Sequence, residues 1–247
     1  MKTHMQKVII IPSRLASVRL PNKPLVDIGG TPMVVRVARQ AQKATADKVM
    51  IACCGEEIKS AIEAIGSTAV ITDPSLPSGT DRVHAAAQSL SSLGPNDIVV
   101  NLQGDLPFIN PQHITQVIDL LEQRPEFDLT TLAAPITDKS EINNPSVVKV
   151  AFSPLGPDQI YGYGHYFSRA AVPHGANTFY HHIGLYAFRK AALDRFVKAS
   201  PTLLETTEKL EQLRALDIGL KIGVGIVDEP PISIDTPEDL EKARQHV

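Results

Sequence analysis

Residues 8–11 form an unbroken run of four β-branched residues, which Pro12 ends. Such a run indicates a strand that is buried on both faces at the centre of a parallel sheet. The segment that follows carries Arg14, Arg19 and Lys23 among prolines and small residues, so it does not belong to the core. Because open α/β sheets bind ligands where loops leave the carboxyl ends of strands, the three cations predict a polyanion site, and a triphosphate fits it. The alternative is a solvated basic loop.

Composition excludes several other classes of protein. The chain has 247 residues, of which 43% are apolar and 21% charged, as in soluble globular proteins. The net charge of −3 argues against a large basic face for nucleic acid. We expect no membrane insertion, since no apolar run approaches the roughly 20 residues of a span, and a cytoplasmic location, since no signal-like segment precedes the first strand. Cys53 and Cys54 are adjacent, which suits neither an ordinary disulfide nor a metal site.

Strand-like runs alternate with helical patterns through the first half of the chain, which predicts βαβ units and a mostly parallel sheet. Thr31 resembles a helix cap with Pro32 at the first helical position. In chain order, the predicted elements after the first strand are a helix to about 44, a strand at 48–54, a helix at 56–65, a strand at 69–72, a helix at about 81–90, a strand at 97–102 and a helix at 111–123.

The pattern changes near residue 128, after which strands have less helix between them. We therefore predict an additional small mixed or antiparallel region, roughly 128–190, within a single domain that covers residues 1–247. Thr236 and Pro237 carry the cap and first-turn signals of a final helix. The other predicted elements are strands at 129–136, 147–152, 182–188 and 222–227 and helices at 190–198 and 207–216.

Two common phosphate-binding fingerprints are missing from the sequence. It contains neither GxGxxG nor GxxxxGK[ST], which disfavours a nicotinamide oxidoreductase and a P-loop enzyme. Nucleotide binding must therefore depend on the arginines and the lysine of the basic loop, together with backbone amides.

Two aspartates follow strand-like segments and could serve a metal. Asp105 comes after the buried run at 98–102, and Asp235 precedes the final helix. Both could simply cap helices. If they converge opposite the cationic loop, they form a hard-oxygen site for Mg²⁺, which keeps water and phosphate oxygens as its other ligands. Sequence spacing does not show convergence.

Other polar residues carry weaker signals. Ser78 and Gly79 begin a small, flexible loop segment that suits contact with a base or ribose. Adjacent histidines at 181 and 182 point to opposite faces of a strand, so at most one faces a given ligand. Glu211 and Gln212 lie in a predicted helix, where a solvated polar face is an equally good interpretation.

Taken together and in order, seven motifs resemble those of the 3-deoxy-manno-octulosonate cytidylyltransferase family. Any one motif is weak, but the ordered set is highly specific and covers nearly the whole chain. The motifs lie at residues 12–25, 78–82, 101–105, 166–169, 182–186, 208–214 and 235–240.

The resemblance implies an α/β protein with a GT-A-like nucleotidyltransferase fold, whose central, mostly parallel mixed sheet is flanked by helices. It implies that the region at 128–190 serves sugar binding or dimerisation in a cytoplasmic homodimer. The implied reaction joins CTP and 3-deoxy-D-manno-octulosonate (Kdo) to give CMP-Kdo and diphosphate for lipopolysaccharide biosynthesis, with Mg²⁺ as cofactor.

The resemblance also implies residue roles. Those for the triphosphate are Arg14, Arg19 and Lys23; those for the cytidine are Ser78, Gly79 and Gln103, with Arg82 near that pocket. The metal ligands would be Asp105 and Asp235, which with Arg14 and Lys23 form the expected catalytic set. The sugar acid would face Arg169, His182, Tyr186, Glu211 and Gln212, with Arg169 paired to its carboxylate.

Two departures from the family pattern lie near these residues. Asn22 stands where the commoner loop has glycine, and Leu106 stands where glutamate is frequent. Neither removes a proposed ligand. Two alternatives stay open: an enzyme that activates another sugar acid, such as 8-amino-Kdo or sialic acid, and a catalytically silent module that senses nucleotide.

Overall fold

The computed structural model describes residues 4–17, 19–158 and 160–246. It falls into two compact units, Met1–Thr115 with Pro231–Val247 and Gln116–Pro230. The second unit contains the region at 128–190 that the sequence sets apart. The prediction of a single domain stays a prediction. None of the helices formed by the described residues combines the length and apolar character that a membrane span requires.

The first unit is built on four parallel strands. Its strands are β1 (Lys7–Ser13), β2 (Asp27–Ile28), β3 (Thr31–Pro32), β4 (Lys48–Cys53), β5 (Thr68–Ile71) and β6 (Ile98–Leu102), and its helices before residue 111 are α1 (Met33–Ala41), α2 (Glu56–Glu63) and α3 (Gly79–Gln88). The strand order is β5-β4-β1-β6, with every pair parallel. Residues 8–11 are at most 3% exposed, so the run of β-branched residues is the core strand that the sequence predicts.

The second unit contains a mixed sheet. The chain enters it within α4 (Pro111–Gln123) and continues with β7 (Leu129–Pro135), β8 (Lys149–Leu155), β9 (Tyr161–Ser168), β10 (Tyr180–Arg189), α5 (Lys190–Lys198), α6 (Leu203–Glu208), α7 (Gln212–Asp217) and β11 (Ile222–Ile226). In the order β10-β7-β11-β9-β8, only β7 and β11 run parallel. The mostly parallel sheet with an added mixed region, predicted from the sequence, is thus confirmed.

After the second unit, the first unit is completed by α8 (Pro237–Arg244). Thr236 caps this helix and Pro237 is its first residue, as the sequence predicts, and Asp239 completes a capping box with Thr236. Ile234 and Leu240 pack in one apolar cluster with Leu20, Ile28 and other residues near the basic loop. The final segment therefore belongs to the core beside that loop.

The predicted cap at Thr31 is wrong. Gly29 and Gly30 form a turn before it, with φ of 56° and 76°. Positive φ at both central residues suits a tight hairpin, and this hairpin pairs Thr31 with Ile28. Thr31 is therefore strand, and α1 begins only at Met33.

The continuous helix predicted at 207–216 is also wrong. α6 ends at Glu208, its C-cap Lys209 has a left-handed φ of 55°, and α7 begins at Gln212. The Leu210 amide donates to the Glu205 carbonyl across this break. A capping box of Thr202 and Glu205 starts α6 four residues before the predicted start. Apolar periodicity does not reveal this left-handed residue.

The sequence analysis missed β9, because glycines at 162 and 164 weaken its strand pattern. Both glycines are required by packing. A Cβ at Gly162 would lie 2.1 Å from the Ser153 carbonyl oxygen on β8, and one at Gly164 would lie 3.0 Å from Val224 on β11. The two glycines that weaken the strand pattern of β9 are thus the residues that allow β8 and β11 to approach it closely.

Candidate functional site

The basic loop follows β1 at the edge where the parallel strands of the first unit end. Arg14 is exposed, and Lys23 begins a short 3-10 turn, Lys23–Leu25. Asn22, which precedes it, has φ 52° and ψ 30°. Asparagine tolerates this left-handed conformation better than most residues, so it can replace the glycine that is commoner in the resembling family.

Asp105 and Asp235 converge on Lys23, a juxtaposition that the sequence could not show. The Lys23 ammonium donates to Asp105 Oδ2 at 3.0 Å and to Asp235 Oδ1 at 2.7 Å. Arg19 Nη2 lies 3.2 Å from the same Asp235 oxygen. The Ile234 amide donates to the Asp105 carbonyl at 3.0 Å, which ties the two aspartate segments together. Both carboxylates thus bind the same cation, the Lys23 ammonium.

These groups line a cavity of about 420 Å³. A volume of that size is in the usual range for a small-molecule site. Every residue assigned to nucleotide or metal on the sequence lines it, namely Arg14, Arg19, Lys23, Ser78, Gly79, Arg82, Gln103, Asp105 and Asp235. The structure therefore brings this predicted set together, while the individual roles stay predictions.

The Ser78–Gly79 end of the cavity is tightly built. Ser78 caps α3 by accepting from the Asp81 amide at 3.1 Å. A Cβ at Gly79 would lie 3.3 Å from Pro12, which it would crowd, and 3.6 Å from the Gln103 side chain, an ordinary contact distance. The Gln103 amide donates to Asn101 Oδ1 at 3.0 Å. An oriented amide of this kind suits recognition of a base edge.

Arg82 contributes a buried cation. Its residue is 2% exposed, and Nη1 donates to Thr72 Oγ1 at 2.6 Å and to the Asp73 carbonyl at 3.1 Å. Thr72 in turn donates to the Cys53 carbonyl at 3.0 Å. Arg82 therefore stabilises the loop after β5 by hydrogen bonds. It also lines the cavity, near which the sequence places it.

The residues assigned to the sugar acid all lie in the second unit. The Arg169 guanidinium donates to three carbonyl oxygens, those of Pro145, Glu208 and Lys209. A guanidinium has five N–H donors, so these bonds leave part of it for a carboxylate. The contacts fix its plane but do not test the predicted pairing.

His182 and Tyr186 are neighbours in the core of this unit. Their ring centroids are 5.5 Å apart, and the two residues are 6% and 5% exposed. The β10 register shifts between Ile183 and Tyr186, and such bulges re-aim side chains. Burial, reinforced by the charge of Glu211, raises the Tyr186 pKa well above its ordinary 10, which keeps its phenol neutral.

Glu211 and Gln212 begin α7 rather than lying within a longer helix. Glu211 is the N-cap residue of α7, and Gln212 is only 4% exposed. The solvated polar face that the sequence left open is therefore excluded for Gln212.

Burial and the neighbouring His181 lower the His182 pKa from its ordinary 6.5 to about 3. The unfolded chain takes up this proton near pH 6.5, whereas the folded chain resists it until about pH 3. The His182 contribution to stability is therefore complete above pH 6.5 and is lost as the pH falls toward 3. In the folded state the hydrogen-bond partner of His182 Nε2 is Thr131 Oγ1, at 3.0 Å.

We expect the free energy of unfolding of the natural protein to fall more steeply than that of His182→Gln as the pH is lowered. The difference in slope should be about 1.4 kcal/mol per pH unit between about pH 6 and pH 4, measured by urea denaturation. His174→Gln, at an exposed position, should keep the natural slope. Equal slopes for His182→Gln and the natural protein would contradict a buried neutral imidazole.

Sequence reasoning missed two charged residues beside the sugar-assigned group, Glu208 and Lys149. The Glu208 carboxylate accepts from the Ser168 hydroxyl at 2.7 Å and from the Arg169 amide at 3.0 Å. The Lys149 ammonium is bound by three backbone carbonyls. Glu208 lies inside a motif of the resembling family, which was the available signal. Lys149 is the first residue of β8, after two valines, and carries no such signal.

The donor chemistry at Asp105 and Asp235 fits Mg²⁺. Two carboxylates supply hard oxygens at a point that already accommodates positive charge. Within the part of the chain that the structure describes, no group of three or more histidine, cysteine or carboxylate side chains is arranged to hold a metal ion. A magnesium ion at this pair therefore needs further oxygens from substrate and water.

The chain is similar to known proteins over nearly its whole length. A family described as Cytidylyltransferase matches residues 8–222. A 3-deoxy-manno-octulosonate cytidylyltransferase of Bradyrhizobium sp. is 49% identical over 243 residues, covering 98% of both chains. A protein of the same name from Rhodospirillum rubrum is 47% identical over 237 residues, covering 96% of this chain and 94% of the relative.

Solved structures agree with the fold. A CMP:2-keto-3-deoxy-manno-octonic acid synthetase complexed with CTP superposes with a TM-score of 0.89 at 33% identity, covering 98% of both chains. A cytidylyltransferase from Leptospira borgpetersenii superposes with a TM-score of 0.63 at 15% identity, covering 98% of this chain and 86% of that one. At 15% identity, the second match supports the fold alone.

Proposed function

Because the chain belongs to the 3-deoxy-manno-octulosonate cytidylyltransferase family, we propose that it transfers the cytidylyl group of CTP to Kdo, giving CMP-Kdo and diphosphate for lipopolysaccharide biosynthesis. The observation that carries the proposal is the convergence of Asp105, Asp235 and Lys23 in the cavity that the basic loop lines. A module that only senses nucleotide has no need of this paired carboxylate arrangement.

The reaction places demands that these residues can meet. The anomeric hydroxyl of the sugar acid loses its proton to water and its oxygen attacks the α-phosphorus in line, the bond from phosphorus to the bridging oxygen breaks, and diphosphate leaves with the growing negative charge. Arg14, Arg19 and Lys23 supply positive charge beside one cavity. Preorganised cations of this kind stabilise phosphoryl-type transition states without a covalent protein nucleophile.

We propose Mg²⁺ as the cofactor, held by Asp105 and Asp235. When bound, the ion would polarise phosphate oxygens and neutralise charge. The chain's own contribution is to hold both carboxylates at one point and to keep Lys23 and Arg19 beside them. The remaining ligands would be phosphate oxygens and water.

The cytidine and sugar assignments follow the family motifs. Ser78, Gly79 and Gln103 suit the base and ribose, because a capped turn and an oriented amide border the cavity there. The sugar acid is assigned to a larger group in the second unit. Its members are Arg169, His182, Tyr186, Glu211 and Gln212. We also infer a homodimer in the cytoplasm from the family resemblance.

Diphosphate release with CTP and Mg²⁺ tests the proposal, with Kdo, 8-amino-Kdo, sialic acid and no sugar as four parallel arms. We expect release with Kdo and background release without sugar. Release only with one of the other sugar acids would keep the nucleotide half and overturn the choice of acceptor. CTP binding by calorimetry without release in any arm would favour the sensing module.

A further inference from the structure

A fully buried lysine lies beside the sugar-assigned residues. Lys149, the first residue of β8, is 0% exposed, and its ammonium donates to the carbonyls of Asn144 at 3.0 Å, Val147 at 2.6 Å and Arg169 at 2.6 Å. An ammonium has three donors, so all of them are taken up by backbone oxygens. Burial, and then the charge of Arg169, lower the Lys149 pKa. The side chain ties the segment at 144–147 to the end of β9.

The Arg169 side chain continues the connection in two directions. Nη1 donates to the Pro145 carbonyl at 2.8 Å, in the segment that Lys149 also holds. Nε donates to the Glu208 carbonyl at 2.8 Å, and Nη2 to the Lys209 carbonyl at 3.3 Å. The guanidinium thereby joins that segment to the end of α6.

The Glu208 carboxylate binds the same part of the chain, at the end of β9. Oε2 accepts from the Arg169 amide at 3.0 Å, and Oε1 accepts from the Ser168 hydroxyl at 2.7 Å, with the Tyr166 hydroxyl 3.5 Å away. Burial alone would raise the Glu208 pKa, but these hydrogen bonds outweigh it and lower the pKa. The carboxylate is therefore a charged acceptor that orients the backbone from which the Arg169 side chain extends.

The bound segments lead directly into the sugar-assigned residues. Lys209 turns the chain in the left-handed region, and two residues later Glu211 is the N-cap of α7, which begins at Gln212. On the other side, the His182 amide donates at 2.8 Å to the carbonyl of Val148, the neighbour of Lys149. A displacement of the Lys149 and Glu208 side chains would therefore shift residues at the end of β9, in β10 and at the start of α7 together.

We propose that Glu208 and Lys149 are positioning residues that hold the sugar-acid group in register, while touching no substrate themselves. This inference rests on the proposed function. One buried and one half-buried charge bind the carbonyl and the amide of Arg169 and thereby fix the backbone from which its guanidinium extends. A small displacement of a substrate-orienting group has large kinetic effects, so the expected consequence of losing them is specific to the sugar acid.

The experiment compares Glu208→Ala with Glu208→Gln, each assayed with Kdo and with CTP as the varied substrate. Glu208 is only partly buried, so Glu208→Ala should fold. We expect it to raise KM for Kdo about tenfold while KM for CTP stays within about twofold. Glu208→Gln keeps one acceptor for the Arg169 amide and a donor for Ser168, so it should restore most of the Kdo affinity. Glu229→Ala, at an exposed position of the same unit, is the matched control.

Unchanged kinetics for Glu208→Ala, or equal rises in both KM values, would overturn the inference. Lys149→Met is the second variant: if it folds, it should show the same selective rise, and Lys198→Met, at an exposed position, should not. The natural protein in the same assay separates the two proposals. If it releases no diphosphate with Kdo, the proposed function fails; if it does and Glu208→Ala matches it, only the positioning role fails.

Discussion

Asp105→Asn should lower turnover with CTP and Kdo by about 10²–10³-fold, the scale seen when one preorganised electrostatic partner of a transition state is removed. Asparagine keeps the size of the side chain but removes one of the two charges that converge on Lys23. A hard divalent cation loses a carboxylate ligand there. Steady-state diphosphate release at saturating Mg²⁺ and CTP measures the effect.

Asp228→Asn, an exposed substitution in the second unit, should leave turnover unchanged and controls for the loss of one negative charge. CTP binding to Asp105→Asn without Mg²⁺, measured by calorimetry, should stay within about threefold of the natural protein, because the lost carboxylate does not attract phosphate. Near-natural turnover of Asp105→Asn at saturating Mg²⁺ would show that the aspartate pair is not the metal site.

Glu205→Ala should lower the free energy of unfolding by about 3–5 kcal/mol, the usual cost of leaving one partner of a buried ion pair uncompensated. Arg214 Nε donates to Glu205 Oε2 at 2.7 Å, Nη2 contacts the other oxygen, and the two side chains are only 9% and 12% exposed. The same glutamate completes the capping box with Thr202, so the Thr202 amide loses its side-chain acceptor as well. Urea denaturation followed by circular dichroism measures the loss.

A melting temperature lower by about 6–12 °C is the matching thermal result for a chain of this size. The double variant Glu205→Leu with Arg214→Met should recover part of the loss, because it removes both charges together. Glu229→Ala should change stability by less than about 0.5 kcal/mol, as exposed substitutions usually do. If Glu205→Ala were as stable as Glu229→Ala, the ion pair would make no net contribution.

Much of the fold could be predicted from local patterns. The β-branched run of β1 is buried on both faces because no polar residue interrupts it, and α4 and α5 occupy the ranges that their patterns indicate. The errors have tertiary causes. A hairpin holds Thr31 as strand, and hydrogen bonds from Arg169 stabilise the turn at Lys209 that divides the predicted helix.

The candidate site was predictable by residue type but not by geometry. The sequence indicates a cationic loop and two acidic positions after strands, whereas their meeting at Lys23 depends on contacts between segments far apart in the chain. Glu208 and Lys149 were missed for a related reason. Their partners are mostly backbone carbonyls and amides, which every residue possesses and which leave no compositional trace.

The position of Asp235 bears on how the protein is made. It follows its partner Lys23 by 212 residues, and Ile234 beside it packs in the same apolar cluster as Leu20 and Ile28. A ribosome therefore releases the basic loop long before it supplies the second carboxylate. The chain therefore acquires the paired aspartates only when translation has passed residue 235.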